Sequence, residues 1–447
     1  MRILIIYLGS NIVLGFNNSN KLFNFLLSKK VISPLPKVFR LLSALTPKEH
    51  SIEIIQTINP DEVNYDGDYD LIGISCLTCY VNIAYDISKE FRQRGKTVVL
   101  GGYHPTSMPD EAKSYSDSVV IGEVEEVWNL LLKDLENSKL KPFYKSEKPV
   151  DLNKVPFKEN IESMEKNFEI FATRGCPHGC KYCAITNSYL GNIFRKRPVD
   201  DVVEEIEMYS GDQFIFHDAS LTIDLNYSKQ LFSRLKELDK IFFASGNIDI
   251  LGKDDEFLKL ASEAGCFAWF IGFESINQKS LDSIKKSTNK VEEYNKSIKK
   301  IKDYGMAIYG SFMFGFDEDD KTIFNSTYEF IRKSDIDILY FHILTPFPGT
   351  PIYTKLESEG RILTKDWSKY DLEHVVFQPK NMTPRELLLG VEELHNTFYS
   401  AKNTFNRVIK GAKLGFSNFI KVGASNYAIW TGTRLDKKIY NVDDYLV

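Results

Sequence analysis

Cys176, Cys180 and Cys183 lie within eight residues, in the segment Thr173-Arg-Gly-Cys-Pro-His-Gly-Cys-Lys-Tyr-Cys183. Three thiolates spaced C-x3-C-x2-C can each take one iron of a cubane cluster, because a tight glycine-containing loop turns every sulfur inward. A zinc site usually draws four protein ligands or pairs cysteine with histidine at other spacings. His178 is the local candidate for a fourth ligand, but a residue between closely spaced thiolates tends to point outward. Cys76 and Cys79 form a C-x2-C pair that, without two further ligands nearby, reads as buried small hydrophobes. Cys266, between Gly265 and Phe267, reads as core. Six cysteines in 447 residues do not make a disulfide scaffold.

The chain around this loop has the length of two or three domains. Hydrophobic residues make up 43% and aromatics 13%, which supplies ample core and excludes a disordered chain. The net charge is −5 with no dominant basic stripe, which speaks against a nucleic-acid partner. With no apolar run of membrane-spanning length and no signal-peptide pattern, the expected location is the cytoplasm.

Strands expected at Arg2–Leu8, Ile52–Thr57, Leu71–Ser75, Thr97–Gly101 and Val119–Gly122 alternate with amphipathic stretches such as Val81–Arg94 and Glu123–Leu135. This spacing predicts βαβ units and a parallel sheet over residues 1–140. Residues 141–165 read as a linker. A second series follows over 166–363, with strands at Glu169–Thr173, Gln213–His217, Ile241–Ser245, Ala268–Phe273, Ala307–Phe314 and Asp337–Leu344. Six β/α repeats predict an open barrel with function at the carboxyl ends of its strands. From about Thr364 to 447 the alternation stops, and the remainder reads as a mainly helical cap over the barrel mouth.

The cysteine loop, with Tyr182 just before the last cysteine and a barrel strand just before the first, resembles the radical S-adenosylmethionine (SAM) superfamily. The resemblance implies a [4Fe–4S] cluster on Cys176, Cys180 and Cys183 whose fourth iron is chelated by SAM. One electron then cleaves SAM to methionine and a 5′-deoxyadenosyl radical. It also implies SAM contacts from Tyr182, from Glu274 in Ile271-Gly-Phe-Glu-Ser275, from Asp218 in Phe216-His-Asp218 and from Ser245, with Asn247 a weaker candidate. A helix-capping role is the alternative for Glu274. Gly310-Ser-Phe-Met-Phe-Gly315 permits close backbone approach, and Thr345-Pro-Phe-Pro-Gly-Thr-Pro351 must form a rigid turn.

Parallel α/β sheets bind ligands beyond the carboxyl ends of their strands. In the first domain those ends read Ser75-Cys-Leu77-Thr78, Gly101-Gly102-Tyr-His104 and Gly122-Glu123. This order resembles the cobalamin-binding domain, in which the serine meets the nucleotide base and the glycines let the tail pass. The usual Asp-x-His-x-x-Gly loop is replaced by Gly9-Ser-Asn-Ile-Val-Leu-Gly-Phe-Asn-Asn18, which has neither Asp nor His; His104 is a substitute candidate, with a turn histidine hydrogen-bonding its own loop as the alternative. The fold implied is α/β, with a Rossmann-like cobalamin-binding-type domain, a partial six-stranded (β/α) radical SAM barrel and a helical C-terminal region.

The whole arrangement resembles cobalamin-dependent radical SAM enzymes, the group around anaerobic protoporphyrin ester cyclase and the hopanoid-modifying enzymes. It lacks the second cysteine triad of methylthiotransferases. The implied reaction is methylation of an unactivated carbon through the deoxyadenosyl radical and methylcobalamin. The alternatives are cyclisation, oxidation or ring rearrangement with the same cofactors, a radical SAM enzyme whose N-terminal domain is structural, and a non-catalytic iron–sulfur protein. The chemistry implies a low-potential electron donor, ferredoxin or flavodoxin. Phe398, Phe405, Val408, Ile409, Phe416, Phe419 and Ile420 alternate with Lys402, Arg407, Lys410, Lys413 and Lys421. A basic amphipathic stretch of this kind either packs one face on the barrel and leaves its lysines solvated, or rests on a membrane surface and suits a lipid-like small-molecule substrate; a basic mouth could instead attract an anionic small molecule or peptide.

Overall fold

A computed structural model of the chain describes residues 1–9, 37–157, 168–411, 419–427, 429 and 445–446. Two parallel six-stranded sheets organise it. The first contains β1 (Arg2–Leu8), β2 (Ser51–Thr57), β3 (Leu71–Cys76), β4 (Thr97–Gly101), β5 (Ser118–Ile121) and β6 (Phe143–Lys145), in the order β2-β1-β3-β4-β5-β6. Its inner strands β1, β3, β4 and β5 are apolar on both faces because helices such as Val81–Gln93 and Trp128–Glu136 cover both. β6 lies inside the expected linker. Its three residues pair in parallel with β5 and widen the first sheet.

After β7 (Phe168–Ile170), the short β8 (Thr173–Arg174) pairs with β9 (Arg195–Lys196) as an antiparallel ribbon around the cysteine loop. The second sheet continues through β10 (Gln213–Phe216), β11 (Ile241–Ser245), β12 (Cys266–Glu274), β13 (Ala307–Phe314) and β14 (Ile338–Ile343). Strands follow chain order across it, from β7 to β14, giving the expected open barrel. All eight residues of β13 are buried, as a central strand covered on both faces requires. The outer helices start at side-chain caps: Asp224 accepts from the Tyr227 amide, Asp254 from Phe257, and Thr383 with Glu386 forms a capping box.

The C-terminal region corrects one expectation. Helix Pro384–Phe398 packs along β14, and Tyr399 both donates to the Leu339 carbonyl and accepts from its amide, near the start of that strand. The helical stretch 419–427 then lies across the amino ends of the strands. Ser425 pairs with Tyr309, the Asn426 amide donates to the Asp337 carbonyl at 3.1 Å, and the Lys421 ammonium sits 5.0 Å from the centre of the Phe267 ring. This helix therefore forms a floor, opposite the mouth. Its buried Val422 and Ala424 are drawn there by the apolar ring of strand starts. The stretch before helix Pro384–Phe398 and residues 445–446 lie at the other end: the Leu372 amide donates to Thr345 Oγ1 beyond β14, Leu446 bridges Val375 and Tyr445 stacks on His374. Among the described residues, no helix is long and apolar enough to cross a membrane.

The carboxyl ends of the two sheets face each other. Tyr103, after β4, donates to the Pro348 carbonyl after β14 at 3.0 Å. Arg174, after β7, pairs with Glu123 and Glu125, after β5. Chemistry that needs groups from both halves therefore has a common cleft.

Candidate active site

The cysteine loop leaves β8 at Arg174 and is held from behind. Thr186 Oγ1 donates to the Cys176 carbonyl at 2.7 Å, and Asn187 Nδ2 donates to the carbonyls of Cys180 and Cys183 at 2.9 and 2.8 Å. These bonds hold the backbone of all three cysteines from which the thiols project. Burial pushes the Cys180 thiol up to about 11, and Cys176 is raised for the same reason. Among the described residues no three His, Cys, Asp or Glu side chains close on a single ion. A cubane asks for something different, one sulfur per iron, and an all-thiol set suits it. His178 turns away: its Nε2 accepts from Asn247 Nδ2 at 2.9 Å.

Glu274 ends β12 at a bulge, with φ +61° in the left-handed region that few non-glycine residues adopt. Asn289 clamps this turn, donating to the carbonyls of Gly272 and Phe273 at 2.9 Å each. The bulge aims the carboxylate at the cysteine loop. Glu274 Oε1 accepts from the Tyr182 hydroxyl at 2.8 Å and from Lys286 Nζ at 3.1 Å, while Oε2 has no partner among the described residues. The pair is nearly dry, with side-chain exposures of 15% for Lys286 and 8% for Glu274. Burial works against the Lys286 charge, but Glu274 and the neighbouring thiols hold its pKa above the usual value. Tyr182 is pushed well up, first by burial and then by Glu274. Lys286 and Asn289 were not anticipated from the sequence; no motif marks them, and only the bulge brings them to this point.

The other expected SAM residues are placed differently. Asp218 is buried and accepts from the Thr173 amide and hydroxyl and from the Ala172 amide at 3.2 Å. It ties the strand that leads into the loop. Burial raises its carboxyl to about 6. Ser245 closes β11, half-buried, beside the Leu221 amide that its carbonyl accepts. At the rim the rings of Phe171 and His217 stack at 5.6 Å, and along β14 those of Tyr340 and His342 lie parallel at 6.2 Å.

In the first domain, Ser75, Gly101, Gly102, Gly122 and Glu123 line one cavity of about 330 Å³ that runs between the sheet and its covering helices. Gly102 has φ +95°, and a Cβ there would fall 2.6 Å from the Cys76 carbonyl oxygen, so only glycine fits. Arg174 and Phe171, from the barrel, complete the mouth of this cavity. A long apolar slot opening onto the cleft fits the nucleotide tail of cobalamin. Leu77 is exposed beside it, and Thr78 is buried with its hydroxyl unpartnered among the described residues. Glu123 accepts from Arg195 at 2.6 and 3.1 Å and from Arg174 at 3.1 Å; burial raises its pKa, and the two arginines more than offset this.

His104 has no exposed surface. Its Nε2 meets Glu111 at 3.2 Å and its ring packs 4.9 Å from Trp367, so it serves the seam with the C-terminal region and is turned from the cleft. Residues 10–18, where the sequence lacks the axial-ligand motif, lie outside the described residues. Cys76 and Cys266 are buried in the core, and burial raises the Cys79 thiol to about 11.

Comparison with known proteins agrees with this geometry. Residues 170–331 match the Radical SAM superfamily and residues 54–132 match the B12 binding domain. The chain is 33% identical to bacteriochlorophyllide d C-8(2)-methyltransferase of Chlorobaculum tepidum over 391 residues, covering 83% of this chain and 86% of that one. It is 31% identical to the C-12(1)-methyltransferase of the same organism over 401 residues, covering 86% and 87%. In three dimensions it is similar to the radical SAM methyltransferase TsrM from Kitasatospora setae with cobalamin and [4Fe–4S] cluster bound. The TM-score there is 0.67 at 13% identity, covering 97% of this chain and 99% of that one. The chain belongs to the cobalamin-dependent radical SAM methyltransferases, enzymes that use a [4Fe–4S] cluster, SAM and cobalamin.

Proposed function

We propose that the chain methylates a carbon of a flat, largely apolar, ring-bearing small molecule held between its two halves. Cys176, Cys180 and Cys183 hold the cluster. Tyr182, Ser245, Glu274 and Lys286 form the SAM site, with Asp218 bracing the strand behind it. Ser75, Leu77, Thr78, Gly101, Gly102 and Gly122 hold cobalamin, and Glu123 fixes the seam. Together the three groups supply a hydrogen-abstracting radical and a transferable methyl group. The chain's own contribution is orientation and exclusion of water.

The observation that carries this reading is the Tyr182–Glu274–Lys286 contact. It joins the cysteine loop to the end of β12 and leaves Glu274 Oε2 free for the amino or ribose groups of a ligand. The flat substrate is supported by the parallel ring pairs Phe171–His217 at the rim and Tyr340–His342 along β14, and by the two relatives named for methylating bacteriochlorophyllide. The electron donor is a ferredoxin or flavodoxin, a reading supported by Lys181 and Lys285, exposed beside the loop, which suit an acidic partner. The enzyme works in the cytoplasm. Phe405, Ile409 and Ile420, exposed on the basic C-terminal region, support peripheral contact with a membrane that delivers an amphiphilic substrate.

Anaerobic purification, cluster reconstitution and metal analysis test the site. About four irons and one cobalt per chain are expected, with cysteine-to-alanine changes at 176, 180 or 183 abolishing the iron. Incubation with methyl-labelled SAM and a chlorin tests the substrate class, and absence of label in any ring-bearing compound tried would overturn it.

A further inference from the structure

The cavity in the first domain is polar only at its mouth. Glu123, Glu125 and Arg174 stand there, beyond the strand ends, and pair with one another or with Arg195, and the Ser75 hydroxyl lines the same end, where β3 pairs with Gly101. Deeper, the walls are Ile5, Leu42, Val99, Val120 and Trp128, all buried. Gly73 keeps this end open, since a Cβ there would fall 2.6 Å from Ile5 Cδ1. The Trp128 indole N–H already donates to Thr46 Oγ1 at 3.0 Å. The backbone groups of β1, β3, β4 and β5 are committed to their parallel ladders. Among the described residues, the deep end therefore offers shape and apolar contact but no free donor or acceptor.

Corrinoids differ in the base that ends their nucleotide tail. A benzimidazole presents an apolar ring edge, whereas an adenine presents ring nitrogens and an exocyclic amine that need partners. A polar group buried without a partner costs on the order of tenfold in binding or more, and an apolar cavity gives water too few partners to substitute. We propose that this cavity selects the corrinoid by its tail, accepting benzimidazole-tailed cobalamin and rejecting adenine-tailed corrinoids, with Leu42, Val99, Val120 and Trp128 setting the choice.

Trp128 is a built-in reporter for the test. The full chain, purified anaerobically without corrinoid, would be titrated with cobalamin, with an adenine-tailed corrinoid and with tail-less cobinamide. Binding is followed by quenching of tryptophan fluorescence, with Trp128→Phe as the control, and by corrin absorbance retained after desalting. Cobalamin is expected to bind at least about tenfold more tightly than the adenine-tailed form, and the tail-dependent part of the quenching should vanish in Trp128→Phe. Leu42→Gln brings an amide able to pair with adenine and should narrow the preference. Binding of the two tailed corrinoids within about twofold of each other would overturn the selectivity. Equal binding of cobinamide would show that the tail does not use the cavity, and no binding of any corrinoid would remove the ligand itself.

Discussion

Replacing Lys286 by methionine keeps most of the apolar stem and removes the charge that faces Glu274. The carboxylate is left nearly dry, with only the Tyr182 hydroxyl donating to it. Removing one partner of a fully buried ion pair costs about 3–5 kcal/mol. Here the residual exposure of both side chains and the remaining tyrosine relieve part of that, leaving about 2–3 kcal/mol. For a unit the size of the radical SAM region, each ~1 kcal/mol moves the melting point by about 2–4 °C, so a fall of about 4–12 °C is expected. Thermal unfolding of the cluster-free chain under nitrogen, followed by intrinsic fluorescence, reads this through Trp269, which is fully buried in the barrel core. The companion variant Glu274→Gln/Lys286→Met removes both charges and should recover at least half the loss, as a coupled pair requires. If Lys286→Met melts within about 1 °C of the parent, or the double variant melts no higher than the single one, the two side chains do not form the buried pair described above.

Three further outcomes are expected. The Asp218 carboxyl, raised by burial to about 6, binds a proton in the folded chain that the unfolded chain has already released. Its contribution to stability is therefore full below about pH 4 and declines as pH rises through about 6, and Asp218→Asn should flatten that slope in urea unfolding series run between pH 4 and 7. Arg174→Met breaks the bridge to Glu123 and Glu125 and should lower both the cobalamin retained and the iron retained after desalting, whereas Lys181→Met, on the exposed side of the loop, should leave both unchanged. Gly102→Ala forces a left-handed alanine, at about 1–3 kcal/mol, against the Cys76 backbone, and should abolish cobalamin retention while leaving the iron content intact.

What the sequence disclosed and what it withheld follow from how local each feature is. The cysteine loop could be read because three ligands within eight residues form a self-contained pattern. Strands β1, β4, β11 and β13 lie where their apolar runs put them, since a strand covered on both faces needs only a short β-branched or aromatic stretch. β6 escaped notice because Phe143–Lys145 is too short and too polar to stand out from the charged segment around it. Glu274 was legible as a strand-end carboxylate, but its partner Lys286 was not, because a bulge and a turn between them decide where each side chain points. His104 was legible as a histidine at the end of β4, but the surface its ring packs on was not, because Trp367, far along the sequence, supplies it. The amphipathic tail announced that one of its faces is covered but not by what. That depends on the ring of apolar strand starts it meets at the far end of the barrel.

That location makes the barrel a blind vessel. With stretch 419–427 built into its base through Tyr309, Asp337 and the buried Val422, the described part of the lumen is shut at the end away from the chemistry. Among the described residues, the way into the lumen is therefore the rim that the N-terminal half overhangs, so the half that meets Arg174 through Glu123 and Glu125 also bounds the entrance.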